Sequence, residues 1–287
     1  MTKLRAYYQL LKPGVMYGNV LTGAAGFLLA AAGQIDWLLF VITIVGMTLV
    51  VGSACALNNL LDRDIDSKMK RTKKRPSVTG AVPGWSIGAY SAVLGVVGIG
   101  MLIAWTNWLV VWIGIIGWVT YVWLYGAWSK RQSIHGTIVG SISGAMPIAG
   151  GYAAVSGQID LGLVIAFLVM FFWQFPEFYS IAIYRRSEYA AAKVPVMSVV
   201  KGVRSSIVQI FVYTILYVLS TLSLTWFGYT GWIYFAVMAI AGIHWIAIGA
   251  QGLSSAEPEV WARKMFRYAM INVLVLCVMF ALGPVLP

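Results

Sequence analysis

The residues best suited to chemistry lie in one short stretch that follows a long apolar run. Asn58, Asp62 and Asp66 recur at intervals of four residues. If the preceding helix continues past the apolar run, this spacing places their side chains on one helix face, within about 80° of each other. Asp64 then points elsewhere. Two carboxylates one turn apart, with an amide oxygen a turn before them, suit Mg²⁺, which completes its shell with water and phosphate oxygens.

A run of basic residues follows these aspartates, over residues 68–75. Taken alone, such a run is typical of a solvated loop on the cytoplasmic side of a membrane. Beside a divalent-cation site, it would also supply positive charge to bind a phosphate group. We therefore interpret the stretch as a metal–diphosphate site, in which Arg71, Lys74 and Arg75 neutralise the diphosphate oxygens.

The elements that position these residues are membrane helices. Of the 287 residues, 60% are hydrophobic and 10% are charged, whereas a soluble domain carries about 25% charged residues. Segments of the roughly 20 apolar residues that cross a bilayer cover residues 15–33, 37–57, 85–104, 108–128, 136–155, 161–183, 205–226, 231–251 and 267–285. The sequence predicts an all-α polytopic membrane protein. We expect one domain, residues 1–287, with nine helices around a central cavity that opens to the cytoplasm and laterally to lipid.

The basic residues show which way the helices cross the membrane. Every lysine and arginine lies before the first segment or in every second connection, with Arg267 at the border of the last one, and the connections near Gly33, Thr106, Gly157 and Tyr229 have none. Because basic residues stay on the cytoplasmic side, the N-terminus is expected in the cytoplasm and the C-terminus outside. The net charge of +11 thus reflects membrane orientation, and we expect no nucleic-acid partner.

A second group of charged and polar residues surrounds the inner end of the sixth predicted helix. Its members are Gln174, Glu177, Arg185, Arg186, Glu188 and Lys193. The residues after Glu177, from Phe178 to Ile183, carry no charge, so we expect Glu177 at the membrane boundary, facing a cavity rather than lipid. The alternative is a boundary acid paired with a neighbouring arginine.

Several long strings in the chain resemble a known family. The string NNLLDRDIDSKMKRTKKRP from Asn58 resembles the first signature of the UbiA-like superfamily of intramembrane prenyltransferases. Three further strings are similar to one branch of this superfamily, the protohaem IX farnesyltransferases. These strings are KRQSIHGTIVGSISGAMPIAGGYAAVSG from Lys130, FFWQFPEFYSIAIYRRSEYAAAKVPVMSVVKG from Phe171 and WARKMF from Trp261. The resemblance covers most of the chain.

The resemblance implies a reaction and a set of roles. A farnesyl group would pass from farnesyl diphosphate to a vinyl group of haem b, with addition of water, giving haem O for haem–copper oxidases. Glu188, before Tyr189, matches the superfamily's second acidic motif and would join the Mg²⁺ ligands Asn58, Asp62 and Asp66. The expected catalytic residues are Asp62, Asp66, Arg71 and Glu188. The expected diphosphate-binding residues are Asn58, Lys74, Arg75, Arg185, Arg186 and Lys193.

The same resemblance implies a location, partners and one departure. The protein would lie in a bacterial inner membrane with its active site facing the cytoplasm, and a haem A synthase or a terminal oxidase is a candidate partner. Glu177 departs from the branch, which usually has a histidine there. The residues expected to contact haem or line the cavity are Tyr125, His135, Trp173, Gln174, Glu177 and Tyr184. A histidine can ligate haem iron, and aromatic faces stabilise cations, although such residues also serve as belt or packing residues.

Two other functions are compatible with parts of the pattern. Another member of the superfamily would prenylate an aromatic ring in quinone or pigment synthesis, but the strings outside the aspartate stretch disfavour it. A transporter would use the carboxylates as a path for cations or protons. Since a transporter carries such acids within its helices on both sides, their position at one boundary favours an enzyme.

Overall fold

The computed structural model describes residues 2–287, and nine helices in this range are long and apolar enough to cross a bilayer. These helices are α1 (Pro13–Ala31), α2 (Trp37–Leu61), α3 (Gly84–Trp105), α4 (Trp108–Gln132), α5 (Gly136–Ser156), α6 (Leu161–Tyr184), α7 (Val203–Trp226), α8 (Trp232–Ser254) and α9 (Pro258–Leu282). Short helices outside them cover Lys3–Leu10, Arg63–Asp66, Pro76–Thr79, Arg186–Ala191 and Met197–Val200. The predicted all-α fold with nine spans is confirmed.

Polar and proline residues begin several of these helices. Asp36, Asn107 and Asp160 precede α2, α4 and α6, and each side chain accepts a hydrogen bond from the backbone N–H three residues later, at 2.8–3.1 Å. Such a cap satisfies a backbone donor that has no partner within the helix. Pro13 and Pro258 occupy the first positions of α1 and α9, where no N–H is needed.

Two helices form the centre of the bundle. Helix α5 packs against α1, α4 and α6, while α6 also packs against α7 and α9, and α9 returns to α1. The contact between α1 and α5 depends on glycine. A Cβ atom at Gly26 would lie 2.0 Å from the carbonyl oxygen of Ile148, and a Cβ atom at Gly151 would lie 1.9 Å from the carbonyl oxygen of Gly23. Small residues allow such close approach in membranes, where helices associate through packing.

The last helix begins earlier than the sequence predicts. Its expected start was residue 267, but α9 begins at Pro258, so Arg263, Lys264 and Arg267 lie on a helix and not in a connection. These three side chains are exposed, whereas Trp261 on the other face is buried. The prediction was wrong here because it required an apolar run, and an amphipathic turn extends the helix beyond that run.

The fourth helix also extends further than predicted. It ends at Gln132 and not near residue 128, so Lys130 and Arg131 lie in its last turn. The second helix likewise continues beyond the predicted residue 57, to Leu61. Both extensions bring side chains at helix ends to the same end of the bundle, where the candidate site lies.

We expect Gly26→Ala to destabilise the fold more than Gly100→Ala does. The new methyl group of Gly26→Ala meets a backbone oxygen that cannot move without shifting α5, and such overpacking costs about 1–3 kcal/mol. A Cβ atom at Gly100 would have no atom within 4 Å, so this matched variant should keep the wild-type unfolding temperature. Thermal unfolding of both detergent-solubilised variants checks the prediction, and equal unfolding temperatures would contradict it.

Candidate functional site

A cavity of about 750 Å³ lies between α1, α2, α4, α5, α6 and α9. Its walls within the bundle are largely apolar, with residues such as Met47, Val50 and Ile113. Its charged residues, within the described part of the chain, are Lys12, Asp62, Asp66, Arg71, Arg75, Lys130, Glu177 and Arg185. Except for Glu177, these lie at or beyond the helix ends on one side of the bundle. The cavity therefore has a charged mouth and an apolar interior.

The aspartate stretch lies at the end of α2. This helix ends at Leu61, but the N–H of Asp62 donates to the carbonyl oxygen of Asn58 at 2.9 Å, and the N–H of Asp66 donates to that of Asp62 at 2.8 Å. Because the helical spacing continues, the side chains of these three residues stay on successive turns, and all three line the cavity. Asp64 does not line it, and 61% of its side chain is exposed.

Each of the two buried carboxylates is held by a basic residue. Lys130 Nζ donates to Asp62 Oδ2 at 2.6 Å, and Arg75 Nη1 donates to Asp66 Oδ2 at 2.5 Å. Asp62 Oδ1 is buried and accepts no hydrogen bond from any described residue. Buried charges require such partners, since removing one partner costs about 3–5 kcal/mol. The ion pairs leave one oxygen of Asp62 available to a further ligand.

Lys12 forms a second polar contact at the mouth. It adopts a left-handed backbone conformation immediately before α1, and its Nζ donates to Asn58 Oδ1 and to the hydroxyl of Tyr121. Burial lowers the pKa of Lys12 to about 8, although the negative charge of Asp62 opposes this shift. A bound anion would favour the charged form of this lysine.

A π-helical segment, Thr120–Ser129, forms the part of α4 next to this contact. The rings of Tyr121 and Tyr125 stack on it with their centroids 5.9 Å apart. Gly126 leaves room for Asn58, because a Cβ atom there would lie 2.8 Å from Asn58 Nδ2. Such segments are frequent at functional sites. Here the segment places two tyrosines in the cavity wall.

Arg131 joins the ends of α2 and α4 outside the cavity. Its guanidinium donates to both carboxylate oxygens of Asp64, each at 2.8 Å, and to the carbonyl oxygen of Leu61 at 2.5 Å. The hydrogen bonds from Arg131 lower the pKa of Asp64 to about 2. Because Asp64 is exposed, solvent screening leaves this pair a small contribution to stability.

Residues of α6 form the opposite wall of the cavity. Gln174 Nε2 donates to the carbonyl oxygen of Ser141 at 3.0 Å, and Gly144 makes room for this side chain, since a Cβ atom there would lie 1.9 Å from Gln174 Oε1. Trp173 Nε1 donates to the carbonyl oxygen of Ala269 at 2.9 Å. These two residues line the cavity and also fix α6 against α5 and α9.

Glu188 follows the end of α6 and pairs with a neighbouring arginine. The helix ends at Tyr184, and Arg185 Nη1 then donates to Glu188 Oε1 at 2.9 Å. The other oxygen, Glu188 Oε2, is buried without a hydrogen-bond partner among residues 2–287, but Glu188 does not line the cavity. Tyr184 does line it, with the guanidinium of Arg263 4.7 Å from its ring centroid. The role of Glu188 as a metal ligand stays a prediction.

Glu177 differs from the other acidic residues of the cavity. It lies within α6 and lines the cavity. Its carboxyl group forms no ion pair with any described residue, so the structure does not show the arginine partner that one interpretation of the sequence required.

The remaining predicted residues divide into two groups. Arg71 lines the cavity, as do Arg75, Arg185 and Tyr125. Four others are exposed and are not among the described lining residues, namely Lys74, His135, Arg186 and Lys193. His135 lies at the start of α5. Diphosphate or haem contacts by these four remain predictions.

Two site residues were not identified from the sequence, Lys12 and Lys130. Both lie at the charged end of an apolar segment, so their positive charge was attributed entirely to membrane orientation. One feature of the sequence could have pointed to them: the start of α1 and the ends of α2 and α4 must lie on the same side of the membrane. The sequence does not show that these three helix ends are neighbours.

The residues of the mouth suit a magnesium ion. No group of three or more His, Cys, Asp or Glu side chains in the described part of the chain is arranged to hold a metal ion. Two carboxylates are nevertheless sufficient for Mg²⁺, which takes its other ligands from water and substrate phosphates. Asp62 and Asp66, one turn apart, fit this requirement, and the unpaired Asp62 Oδ1 offers a ligand atom.

Comparison with known proteins identifies the family. The sequence pattern of the UbiA prenyltransferase family matches residues 19–285. The chain belongs to the UbiA prenyltransferase family. This UbiA-family chain is 42% identical over 279 residues to a protein of Chromohalobacter salexigens named protoheme IX farnesyltransferase, and the match covers 97% of this chain and 95% of that protein.

Solved structures share this UbiA fold. One, from work on digeranylgeranylglyceryl phosphate synthase in membranes, matches with a TM-score of 0.83 and 19% identity over 99% of each chain. A UbiA homologue from Archaeoglobus fulgidus, bound to GPP and Mg²⁺, matches with a TM-score of 0.73 and 12% identity, covering 96% of this chain and 99% of that one. The family match and the nine apolar helices of the described residues together show a multi-pass membrane prenyltransferase.

We expect Asp62→Asn and Asp66→Asn each to reduce diphosphate release from a prenyl diphosphate by at least about 100-fold, because each removes a charge that orders the mouth and suits a metal ion. Each variant keeps the size of the side chain, so membrane insertion should be unchanged. A coupled assay for inorganic diphosphate on the purified variants measures the effect.

The matched control is Asp64→Asn, in the same short stretch. Because Asp64 is exposed and outside the cavity, this variant should retain activity within about threefold of wild type. Full activity of Asp62→Asn or Asp66→Asn would contradict the assignment of the site.

Proposed function

We propose that the protein transfers a farnesyl group from farnesyl diphosphate to a vinyl group of haem b, with addition of water, and so forms haem O. The observation that carries this proposal is the single cavity of about 750 Å³ that joins a charged mouth to an apolar interior. Such a cavity suits a substrate with an anionic head and a long apolar tail. The near-full-length similarity to a protein named protoheme IX farnesyltransferase supports the choice of donor and acceptor.

The charged mouth would bind the diphosphate. Its basic residues, in the described part of the chain, are Lys12, Arg71, Arg75, Lys130 and Arg185. Mg²⁺, held by the oxygens of Asn58, Asp62 and Asp66, would neutralise charge on the leaving diphosphate when it is bound. Negative charge on the diphosphate grows as it leaves, so fixed positive charges stabilise the transition state more than the ground state.

Two of these basic residues also pair with the aspartates. Lys130 and Arg75 hold the carboxylates of Asp62 and Asp66 at 2.6 and 2.5 Å. We infer that they turn from the carboxylates to the diphosphate oxygens when the substrate binds. This exchange keeps every buried charge paired in both states, which avoids the cost of an isolated buried charge.

The apolar interior would hold the farnesyl tail and the acceptor. As the allylic C–O bond breaks, a bond forms between the first farnesyl carbon and the terminal vinyl carbon of haem b. Positive charge then develops on the vinyl carbon that is attached to the porphyrin ring. The aromatic lining residues Tyr125, Trp173 and Tyr184 offer faces that stabilise a cation, and apolar walls limit early reaction with water.

The arrangement of charge supports a location and disfavours a transporter. The ion pairs of the described residues lie at one end of the bundle, which the positive-inside rule assigns to the cytoplasm. We place the protein in a bacterial inner membrane with its mouth facing the cytoplasm. The function implies a haem A synthase or a terminal oxidase as the partner that takes up the product.

Removal of divalent cations should stop diphosphate release by the purified protein. The carboxylates of Asp62 and Asp66 cannot on their own bind an anionic diphosphate, and a chelator such as EDTA removes the cation that would join them. Addition of excess Mg²⁺ should restore the activity. Release of diphosphate at the same rate in EDTA would contradict a metal-dependent reaction.

The proposed function is tested with the purified protein, farnesyl diphosphate, Mg²⁺ and haem b, with porphyrins analysed by mass spectrometry. The expected product is haem that has gained one farnesyl group and one water molecule. Unchanged haem with diphosphate release that depends on an added aromatic acceptor would reassign the acceptor. A folded protein that neither releases diphosphate nor changes haem would favour a transporter.

A further inference from the structure

Glu177 is the one acidic lining residue of the cavity, within residues 2–287, that has no basic partner. Asp62 and Asp66 are each held in an ion pair, but Glu177 forms no ion pair with any residue of the described chain. An unpaired acid within a membrane helix is costly, and such residues are functional candidates by default.

The position of Glu177 along α6 places it just inside the mouth. It precedes Tyr184, the last residue of the helix, by seven residues, which corresponds to about 10 Å along the helix axis. It shares the cavity face with Trp173 and Gln174 one turn earlier, and with Ile181 one turn later. A substrate whose diphosphate lies at the mouth near Arg185 would therefore have its reacting carbons close to the depth of Glu177.

The proposed reaction requires a proton acceptor at this depth. After the new C–C bond forms, the cationic vinyl carbon binds the oxygen of a water molecule, and the resulting oxonium group must lose one proton to become the hydroxyl group. Where no group holds and deprotonates this water molecule, the released diphosphate instead accepts a proton from the neighbouring carbon, and the product is an alkene. Asp62 and Asp66 are already engaged with Lys130 and Arg75 at the mouth.

We propose that Glu177 is the catalytic base of this hydration step. Its carboxylate holds the water molecule beside the cationic carbon, and it accepts the proton as the C–O bond forms. The proton then leaves to solvent through the charged mouth. This assignment rests on the proposed farnesyl transfer to haem, and it adds the residue that determines whether the product carries a hydroxyl group or a double bond.

The test compares Glu177→Gln with Glu177→Asp in the assay with farnesyl diphosphate, Mg²⁺ and haem b. Glutamine keeps the shape of the side chain but cannot accept the proton, so formation of the hydrated product should fall about 100-fold, as for loss of a general base. Diphosphate release and the KM values for both substrates should stay within about threefold. A farnesylated haem lighter by one water molecule should appear, and aspartate should restore part of the hydrated product.

The control is Glu259→Gln, which changes an exposed acid in the first turn of α9 and should behave as wild type. Hydrated product formed by Glu177→Gln at the wild-type rate would overturn the proposal. So would a KM for haem raised tenfold or more with an unchanged ratio of products, because this result indicates binding alone. Failure of the wild type to farnesylate haem would instead overturn the proposed function, so the two failures are distinguishable.

Discussion

The ion pair between Asp62 and Lys130 is the contact on which the charged end of the bundle depends. Its two atoms lie 2.6 Å apart, and 1% of the aspartate side chain is exposed. A carboxylate at such a position requires a cation, because an isolated buried charge is far more costly than a paired one. The pair therefore fixes the end of α2 against the end of α4. These two helix ends form part of the wall of the mouth, so the ion pair holds that wall together.

The same ion pairs explain how a buried site rich in charge is stable. The aspartates that suit a metal ion and the basic residues that suit a diphosphate neutralise one another. In the proposed reaction, a metal ion and a diphosphate that enter together would each find a partner of opposite charge already in place. Glu177, further inside the cavity, has no such partner among the described residues, and the role proposed for it is separate from that of the mouth.

Much of this arrangement is predictable from local pattern. Nine spans follow from the length of the apolar runs, and the four-residue spacing of Asn58, Asp62 and Asp66 predicts their common face. Pairs between distant segments are not predictable in this way. Lys12 and Lys130 are 46 and 68 residues from their partners in the aspartate stretch, and their approach depends on which helices are neighbours. That choice depends on close backbone contacts such as Gly26 against Ile148.

The π-helical segment Thr120–Ser129 has a consequence for how the sequence of α4 can change. Each of its turns holds more residues than an α-helical turn, because its hydrogen bonds reach five residues along the chain. Loss of one residue here can be absorbed by conversion of a wide turn to an α-helical turn, with Lys130 still facing α2. The same loss in a regular helix would rotate every later side chain by about 100°. The fourth helix can thus lose one residue next to the mouth without rotating the side chains that follow.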